Sequence, residues 1–207
     1  MDCPGPMKRI AIYCGSATPA DPRYVALAHD TGAELARRGI GVVYGGGKLG
    51  LMGAVASGAL DAGGEVIGVI PEALARAEVA NHDCSELIVV ADMHQRKAAF
   101  TRLSDGFLTL PGGVGTMDEL WEAMSWAQLG YHAKPVGLLN VEGYYDRLLA
   151  FVDDMVGAGF VMPPQRELLR AQGALWRLHE REAFGAAGTI GGRSGRVVPE
   201  AGITTGV

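Results

Sequence analysis

Cysteine, lysine and aromatic residues are scarce in this chain, and long apolar runs are absent. Of 207 residues, three are cysteines and 7% are aromatic. The spacings of Cys3, Cys14 and Cys84 fit neither a disulfide framework nor a zinc site, which favours a reducing compartment and predicts a cytoplasmic protein. No segment has the roughly 18 consecutive apolar residues of a membrane span, and residues 1–7 do not resemble a signal peptide. We therefore expect no membrane association and no bound metal or other cofactor.

Acidic residues outnumber basic ones, which gives a formal net charge of −5. This balance is unfavourable for binding duplex nucleic acid or an anionic membrane, although a local basic cluster could still hold a small anion. Hydrophobic residues make up 48% and charged residues 20% of the chain, as in globular proteins. We predict a single domain over residues 1–184. Residues 185–207 are rich in glycine and lack apolar periodicity, which predicts a disordered tail.

Short apolar runs alternate with helical patterns along the chain. The predicted strands are Ile10–Cys14, Ile40–Tyr44, Val66–Ile70, Leu87–Val90, Gly106–Leu110 and Pro135–Leu139. The predicted helices cover residues 22–38, 51–61, 92–103, 116–129 and 144–157, with one or two short helices after the prolines at 163 and 164. This alternation predicts an α/β fold with a parallel sheet covered on both faces. Ligands bind such sheets at the carboxyl ends of the strands, near the point where strand order reverses.

The segment GGGKLG, residues 45–50, follows the second predicted strand and precedes a helix. It satisfies the G-x-G-x-x-G pattern of dinucleotide sites, and Glu72 lies where a ribose-binding carboxylate would be expected. That pattern usually follows the first strand, however, and Lys48 places a cation in the loop, which suits a terminal phosphate. A tight strand-to-helix turn without a ligand would also explain these glycines.

The segment PGGVGTMDE, residues 111–119, is more specific. Its glycines lack Cβ atoms, so backbone N–H groups can approach a ligand closely. A helix predicted to open at Thr116 adds its positive amino end, and together these features make a phosphate site without a basic side chain. Thr116 and Glu119 also match a capping box, in which Glu119 would bond the backbone at Thr116. Alternatively, Glu119 faces a sugar, where it would meet the positive charge that develops during glycoside cleavage.

Arg96 and Lys97 lie in the first turns of the helix that Asp92 and Gln95 are predicted to cap. Cations are unfavourable near the positive end of a helix dipole. The two side chains either lie on a solvated face or reach an anion at the same sheet edge, and their unfavourable placement favours the anion. His94 is a candidate acid or base, or simply an exposed helix residue.

The helix that follows residue 116 is apolar on more than one side. The residues concerned are Trp121, Met124, Trp126 and Leu129. This pattern predicts either a buried helix or a subunit interface.

Three segments together resemble the Lonely Guy family of cytokinin riboside 5′-monophosphate phosphoribohydrolases. They are YGGG at 44–47, MHQRK at 93–97 and PGGVGTMDE at 111–119, and the likeness extends from about Lys8 to Arg170. The resemblance implies a Rossmann-like, doubly wound parallel sheet and a homodimer with active sites near the subunit interface. It implies cleavage of an N6-substituted adenosine 5′-monophosphate into free base and ribose 5-phosphate, with Arg96 and Glu119 as the catalytic pair.

Together with the glycine loops, the resemblance indicates a set of substrate-binding positions: Ser16, Gly46, Gly47, Glu78, Met93, Lys97, Gly112, Gly113, Val114, Gly115, Thr116 and Ser125. Such proteins have also been called lysine decarboxylases. The chain has only four lysines, Lys8, Lys48, Lys97 and Lys134. None stands in a setting that suggests a pyridoxal Schiff base, which argues against that activity.

Two other functions fit parts of the pattern. Molybdenum-cofactor carriers resemble this chain in fold and in a related glycine motif, but a non-catalytic nucleotide or cofactor carrier would not need the pair Arg96 and Glu119. An NAD(P)-binding protein would use the loop at 45–50. Both rank below the hydrolase.

Overall fold

The computed structural model describes residues 7–77 and 80–172. Within these residues, one sheet of seven parallel strands has the order β4-β3-β2-β1-β5-β6-β7. The strands are β1 (Arg9–Tyr13), β2 (Gly41–Tyr44), β3 (Val66–Pro71), β4 (Glu86–Val90), β5 (Gly106–Thr109), β6 (Val136–Leu139) and β7 (Leu169–Gln172). The predicted doubly wound α/β fold is confirmed.

Helices connect the strands and cover the sheet. They are α1 (Pro22–Arg37), α2 (Gly50–Asp61), α3 (Glu72–Ala77), α4 (Met93–Leu103), α5 (Val114–Gln128), α6 (Asp146–Gly157) and α7 (Pro163–Arg166). Asp92 caps α4, because its Oδ1 accepts from the N–H of Gln95 at 2.8 Å. The Gln95 side chain accepts from the N–H of Ala91, so only the Asp92 half of the predicted capping box is present.

Strand β1 shows how the two faces of the sheet are buried. Successive side chains of a strand point to opposite faces. Ile10 and Ile12 pack with residues of α1 and α2, whereas Ala11 and Tyr13 pack with residues of α4 and α5. None of the four is more than 4% exposed. A chain that buries both faces of its sheet needs apolar residues at every strand position, which is why the sequence shows continuous runs instead of alternation.

The carboxyl part of the chain differs from the sequence prediction. Between Pro163 and Gln172 the chain forms the short helix α7 and then the parallel strand β7, where the sequence predicts one or two short helices. In β7 Leu169 is buried, whereas Arg170 and Ala171 are exposed. A run of four residues is too short to show the periodicity that would reveal an edge strand. The predicted domain end at 184 and the predicted tail at 185–207 lie outside the described residues.

Two observations bear on the predicted absence of membrane association and on the predicted compartment. No helix in the described ranges is both long and apolar enough to cross a membrane. Cys14 and Cys84 are free thiols. The cytoplasmic location stays a prediction.

The strand order reverses between β1 and β5. From β1 the chain adds β2, β3 and β4 on one side, and then crosses over to add β5, β6 and β7 on the other. The loops that follow β1 and β5 touch at this point, where the N–H of Gly15 donates to the carbonyl of Pro111 at 3.3 Å. A Cβ on Gly112 would overlap Thr116 and approach the Gly15 nitrogen to 2.8 Å. The absence of a side chain at Gly112 is therefore what lets the two loops meet.

Glycines also bring the backbones of α1 and α2 into contact. A Cβ on Gly32 would overlap the carbonyl oxygen of Val55, and a Cβ on Gly58 would overlap that of His29. The helices supporting β2 and its glycine loop are thus positioned by backbone contact.

We predict that Gly58→Ala lowers the free energy of unfolding by about 1–3 kcal/mol, because α2 would have to move away from α1. Gly157→Ala is the matched control, since Gly157 ends α6 in an exposed position with open space around its Cα among the described residues. There the alanine should be neutral or stabilise the helix by up to about 1 kcal/mol. Urea unfolding measures both effects, and an unchanged midpoint for Gly58→Ala would contradict this packing.

Candidate active site

A cleft of about 630 Å³ opens at the carboxyl edge of the sheet, beside the reversal of strand order. Its walls come from the loops after β1 and β2, the end of β3, and the first turns of α3, α4 and α5. The lining residues are Cys14, Gly15, Ser16, Ala17, Gly45, Gly47, Lys48, Leu49, Met52, Ile70, Leu74, Met93, Arg96, Gly113, Val114, Gly115, Thr116, Asp118 and Glu119. The location agrees with the ligand position expected for open α/β sheets.

The amino end of α5 faces this cleft without a side-chain cap. Its N-cap is Gly113, and no side chain bonds the first turn. The N–H of Met117 donates to the Gly113 carbonyl at 3.1 Å, so the N–H groups of Val114, Gly115 and Thr116 precede the first intrahelical bond. Such groups, with the helix dipole behind them, bind anions such as phosphate.

The capping-box interpretation of Thr116 and Glu119 is wrong. Helix α5 begins at Val114, two residues before the predicted start, and Gly113 occupies the capping position. Thr116 is then the third residue of the helix, and Glu119 lies in its second turn. Spacing alone cannot distinguish a capping box from a helix that starts earlier at a glycine.

Glu119 and Arg96 meet in the interior of the cleft. Glu119 is 7% exposed and Arg96 is 5% exposed. Arg96 Nη2 lies 3.9 Å from Glu119 Oε1 and donates to the carbonyl of Gly45 at 3.3 Å. The Phe100 ring lies beneath the guanidinium, 5.6 Å from Cζ to the ring centroid. Helices α4 and α5 thus bring together the two residues that the sequence singles out as a catalytic pair.

Gly45 makes room for the guanidinium. A Cβ at this position would overlap Arg96 Nη2 and approach Met52 Sδ to 3.0 Å. The first glycine of the loop at 45–50 is therefore required by Arg96, and the dinucleotide reading is not needed to explain it. That loop follows β2, whereas the dinucleotide pattern follows the first strand.

Burial governs the protonation of Glu119. Loss of solvent raises the pKa of its carboxyl to about 7, and the negative charges of Asp118 and Glu122 add to this rise. Arg96 and Lys97 oppose it through their positive charges. A carboxyl in this range exchanges protons readily at neutral pH, as a general base or acid must.

Lys97 points away from its neighbour Arg96. Successive residues on a helix project about 100° apart, and the Lys97 ammonium binds Asp118 at 3.1 Å and Glu122 at 2.7 Å on α5. Its side chain is 12% exposed and does not line the cleft. Of the two cations, Arg96 therefore lies where it could meet an anion in the cleft. Lys97 instead links α4 to α5.

The remaining predicted binding residues fall into two groups. Those lining the cleft are Ser16, Gly47, Met93, Gly113, Val114, Gly115 and Thr116. Those not among its lining residues are Gly46, Lys97, Gly112 and Ser125. Ser125 is exposed and lies six residues beyond Glu119, about 9 Å along α5. Glu78 lies outside the described residues.

Sequence reasoning missed several lining residues as site residues. Cys14 and Ile70 come from the carboxyl ends of apolar runs, Met52 and Leu74 from helices, and Asp118 from within the 111–119 motif. The ends of strands β1 and β3 were a usable signal, because such ends converge at one edge of a parallel sheet. Nothing in the local pattern marks Met52 or Leu74.

The four lysines do not support a pyridoxal enzyme. Lys8 precedes β1, at the opposite edge of the sheet, and Lys134 donates to two backbone carbonyls at the end of α4. Lys97 is held by two carboxylates. Only Lys48 lines the cleft, and its ammonium pairs with Asp83 at 3.1 Å.

The solved structures with this fold include a molybdenum cofactor carrier protein from Chlamydomonas reinhardtii. It aligns with a TM-score of 0.62 and 21% identity over 82% of this chain and 91% of that chain. At this level of identity the likeness shows the fold alone, and the residues of the cleft carry the functional argument.

Residues 52–175 match a family model described as possible lysine decarboxylase. Cytokinin riboside 5′-monophosphate phosphoribohydrolase LOG5 of Arabidopsis thaliana is 50% identical over 161 residues, which are 78% of this chain and 71% of the relative. A second relative is the probable cytokinin riboside 5′-monophosphate phosphoribohydrolase LOGL9 of Oryza sativa subsp. japonica. It is 49% identical over 178 residues, which are 86% of this chain and 78% of the relative. The two relatives are about half identical to this chain over most of both partners, so this chain belongs to the Lonely Guy family of cytokinin riboside 5′-monophosphate phosphoribohydrolases.

Proposed function

We propose that this protein hydrolyses the N-glycosidic bond of an N6-substituted adenosine 5′-monophosphate, releasing free base and ribose 5-phosphate. One observation carries the proposal. The uncapped amino end of α5 and the buried carboxyl of Glu119 line the same cleft, about 6 Å apart along the helix axis from Gly115 to Glu119. A phosphate on the first turn would therefore place the attached sugar near the carboxyl. The names of the relatives support this chemistry.

The phosphate anchors the substrate in this scheme. The N–H groups of Val114, Gly115 and Thr116 donate to its oxygens, and the helix dipole stabilises its charge. The hydroxyl of Ser16, on the loop after β1, lines the same cleft and is a further donor. Fixing the phosphate fixes the register of the ribose, which lowers the entropic cost of bringing C1′ to the catalytic groups.

Glu119 acts on the sugar. As the C1′–N9 bond breaks, positive charge develops at C1′ and the ring oxygen, and a carboxylate beside it stabilises that charge. With a pKa of about 7, the carboxylate can also take a proton from the water that attacks C1′, and this proton then passes to the departing base, which leaves with the electron pair of the C1′–N9 bond. Arg96, whose planar donor fork lies beside Glu119, orients the substrate against this carboxyl.

The cleft also has apolar lining residues, which suit an apolar substituent on the base. These residues are Met52, Ile70, Leu74 and Met93. Ile70 belongs to β3, which lies three strand positions from β5 in the sheet, about 14 Å at the usual spacing. A nucleotide held by its phosphate near β5 would extend its base along the sheet edge towards this apolar wall.

We also propose that the protein is a homodimer that associates through the carboxyl end of α5. Leu129 is 66% and Tyr131 is 75% exposed, and the Tyr131 ring stacks edge-on against Trp126 at 6.4 Å. Trp121, Met124 and Trp126 are only partly buried within the chain. An apolar patch of this kind is typical of a protein interaction surface.

We predict that Glu119→Gln lowers the rate of base release by at least about 100-fold, because it removes the proton acceptor and the negative charge facing the sugar. Glu167→Gln, the same change at an exposed position after α7, should keep the wild-type rate. Chromatography of the released base, with N6-isopentenyl-AMP and AMP assayed side by side, measures both variants. A Glu119→Gln enzyme as fast as wild type would exclude this mechanism.

The protonation of Glu119 predicts a pH-dependent stability. Folding raises its pKa from 4.5 to about 7, so between these values the folded state binds more protons than the unfolded state. The free energy of unfolding therefore falls as the pH rises through this window, by about 3 kcal/mol in total. Glu119→Gln lacks this titration and should be stabilised relative to wild type at pH 8 but not at pH 4.5. Urea unfolding at several pH values across this range measures the effect. The prediction would be contradicted if the free energies of unfolding of wild type and Glu119→Gln changed in parallel with pH.

For the dimer, we predict that Leu129→Glu gives a monomer by light scattering, since a charge at the centre of the patch would have to be desolvated. Phe160→Glu places the same charge on another exposed apolar residue, which is 84% exposed after α6, and should leave the dimer intact. A monomeric wild type, or a dimeric Leu129→Glu variant, would count against this interface.

A further inference from the structure

Two consecutive tyrosines after β6 hold the loop that leads into α5. The hydroxyl of Tyr145 donates to the carbonyl of Leu110 at 2.7 Å. The hydroxyl of Tyr144 donates to the carbonyl of Gly112 at 2.9 Å. Both carbonyls lie within the three residues that precede the N-cap Gly113, although the tyrosines are more than thirty positions away in the chain.

The Tyr144 bond determines which way the amide of Gly113 points, whereas the Leu110 carbonyl held by Tyr145 precedes Pro111, which has no N–H. In a trans peptide the C=O and the following N–H point in opposite directions. The carbonyl of Gly112 is held towards Tyr144, so the N–H of Gly113 must point away from Tyr144. Gly113 lines the cleft. Two adjacent glycines have wide conformational freedom, and the tyrosine bonds restrict it to one orientation.

The turn that presents the tyrosines is itself tightly held. Glu142 has a φ of 52°, in the left-handed region that costs a non-glycine residue of order 1–3 kcal/mol. Its carboxylate pairs with Arg23 at the start of α1, 2.5 Å away, and Asn140 Oδ1 accepts from the N–H of Tyr145 at 2.7 Å. Strain maintained by such contacts is characteristic of residues that position a functional group.

The aromatic rings prevent the hydroxyls from swinging away. Tyr144 packs edge-on against Tyr145 at 4.8 Å and against Tyr24 of α1 at 5.8 Å. Tyr145 is 3% exposed. Burial raises the pKa of its phenol, so the hydroxyl keeps the proton that it donates.

We propose that the Tyr144 hydroxyl is a positioning group for phosphate binding: it holds the Gly112 carbonyl so that the N–H of Gly113 faces the anion beside the amides at the start of α5, and Tyr145 anchors the same loop at Leu110. This inference rests on the proposed function, because it assigns the phosphate to that helix end. Neither tyrosine is among the residues that line the cleft, so their effect should pass through the loop amides and fall on phosphorylated ligands alone.

Tyr144→Phe tests this with a single deleted oxygen. We expect it to raise the Kd for ribose 5-phosphate and the KM for N6-isopentenyl-AMP about 5-fold, the usual effect of one neutral hydrogen bond, with kcat at saturation changed less than 2-fold. The affinity for adenine, which lacks phosphate, should be unchanged. Tyr24→Phe is the matched control: it keeps the same ring cluster and removes a hydroxyl that bonds nothing in the described part of the chain. Calorimetric titration and thermal unfolding are measured on all three proteins.

The outcomes separate this inference from the proposed function. If wild type binds ribose 5-phosphate and Tyr144→Phe binds it equally well, the tyrosine inference is overturned while the function stands. If Tyr144→Phe loses affinity for adenine and ribose 5-phosphate alike, together with a lowered Tm, the hydroxyl has a general structural role and the inference again fails. If wild type does not bind ribose 5-phosphate, both proposals fail. The same phosphate-specific loss in Tyr145→Phe, at an unchanged affinity for adenine, would extend the result to the second hydroxyl.

Discussion

Phosphate binding in the proposed mechanism depends on the uncapped amino end of α5. Most helices satisfy their first N–H groups with a Ser, Thr, Asp or Asn side chain, and a glycine in its place costs roughly a few tenths of a kcal/mol. Here Gly113 stands in the capping position and the first turn opens into a cleft. One turn further on, Glu119 is buried although burial disfavours its charged form. Each feature alone works against folding, and such departures concentrate where a protein binds or reacts.

The glycines of the two loops serve different purposes. Gly45 leaves space for the Arg96 guanidinium, and Gly112 lets the loops after β1 and β5 touch. Gly113 and Gly115 have open space around them among the described residues, so a ligand can approach there. A glycine-rich motif therefore combines contacts required by protein neighbours with contacts available to substrate. The fold shared with a molybdenum cofactor carrier does not by itself indicate which of these glycines meets a ligand.

Much of the fold could be predicted because its signals are local. The continuous apolar runs of β1 to β6, each followed by turn residues, predict parallel strands and place both glycine loops at one edge. Strand β7 could not be predicted, because it has four residues and two of them, Arg170 and Ala171, are exposed. Cleft residues could be predicted where one motif carries several of them, as at 113–119. Contacts between elements that are distant in the sequence could not be predicted. The carboxylates that bind Lys97 lie on α5, and Tyr144 bonds Gly112 across 32 residues of sequence. The raised pKa of Glu119 likewise depends on burial by several elements, which no local pattern records.

A crystal structure of Glu119→Gln soaked with AMP would show directly whether the phosphate binds at the start of α5. The proposed mechanism predicts phosphate oxygens about 3 Å from the amide nitrogens at the start of α5. It also predicts that the C1′ carbon of the ribose faces the side chain at position 119. A phosphate bound elsewhere in the cleft, such as on Lys48, with the residue-119 side chain directed away from the sugar, would contradict it.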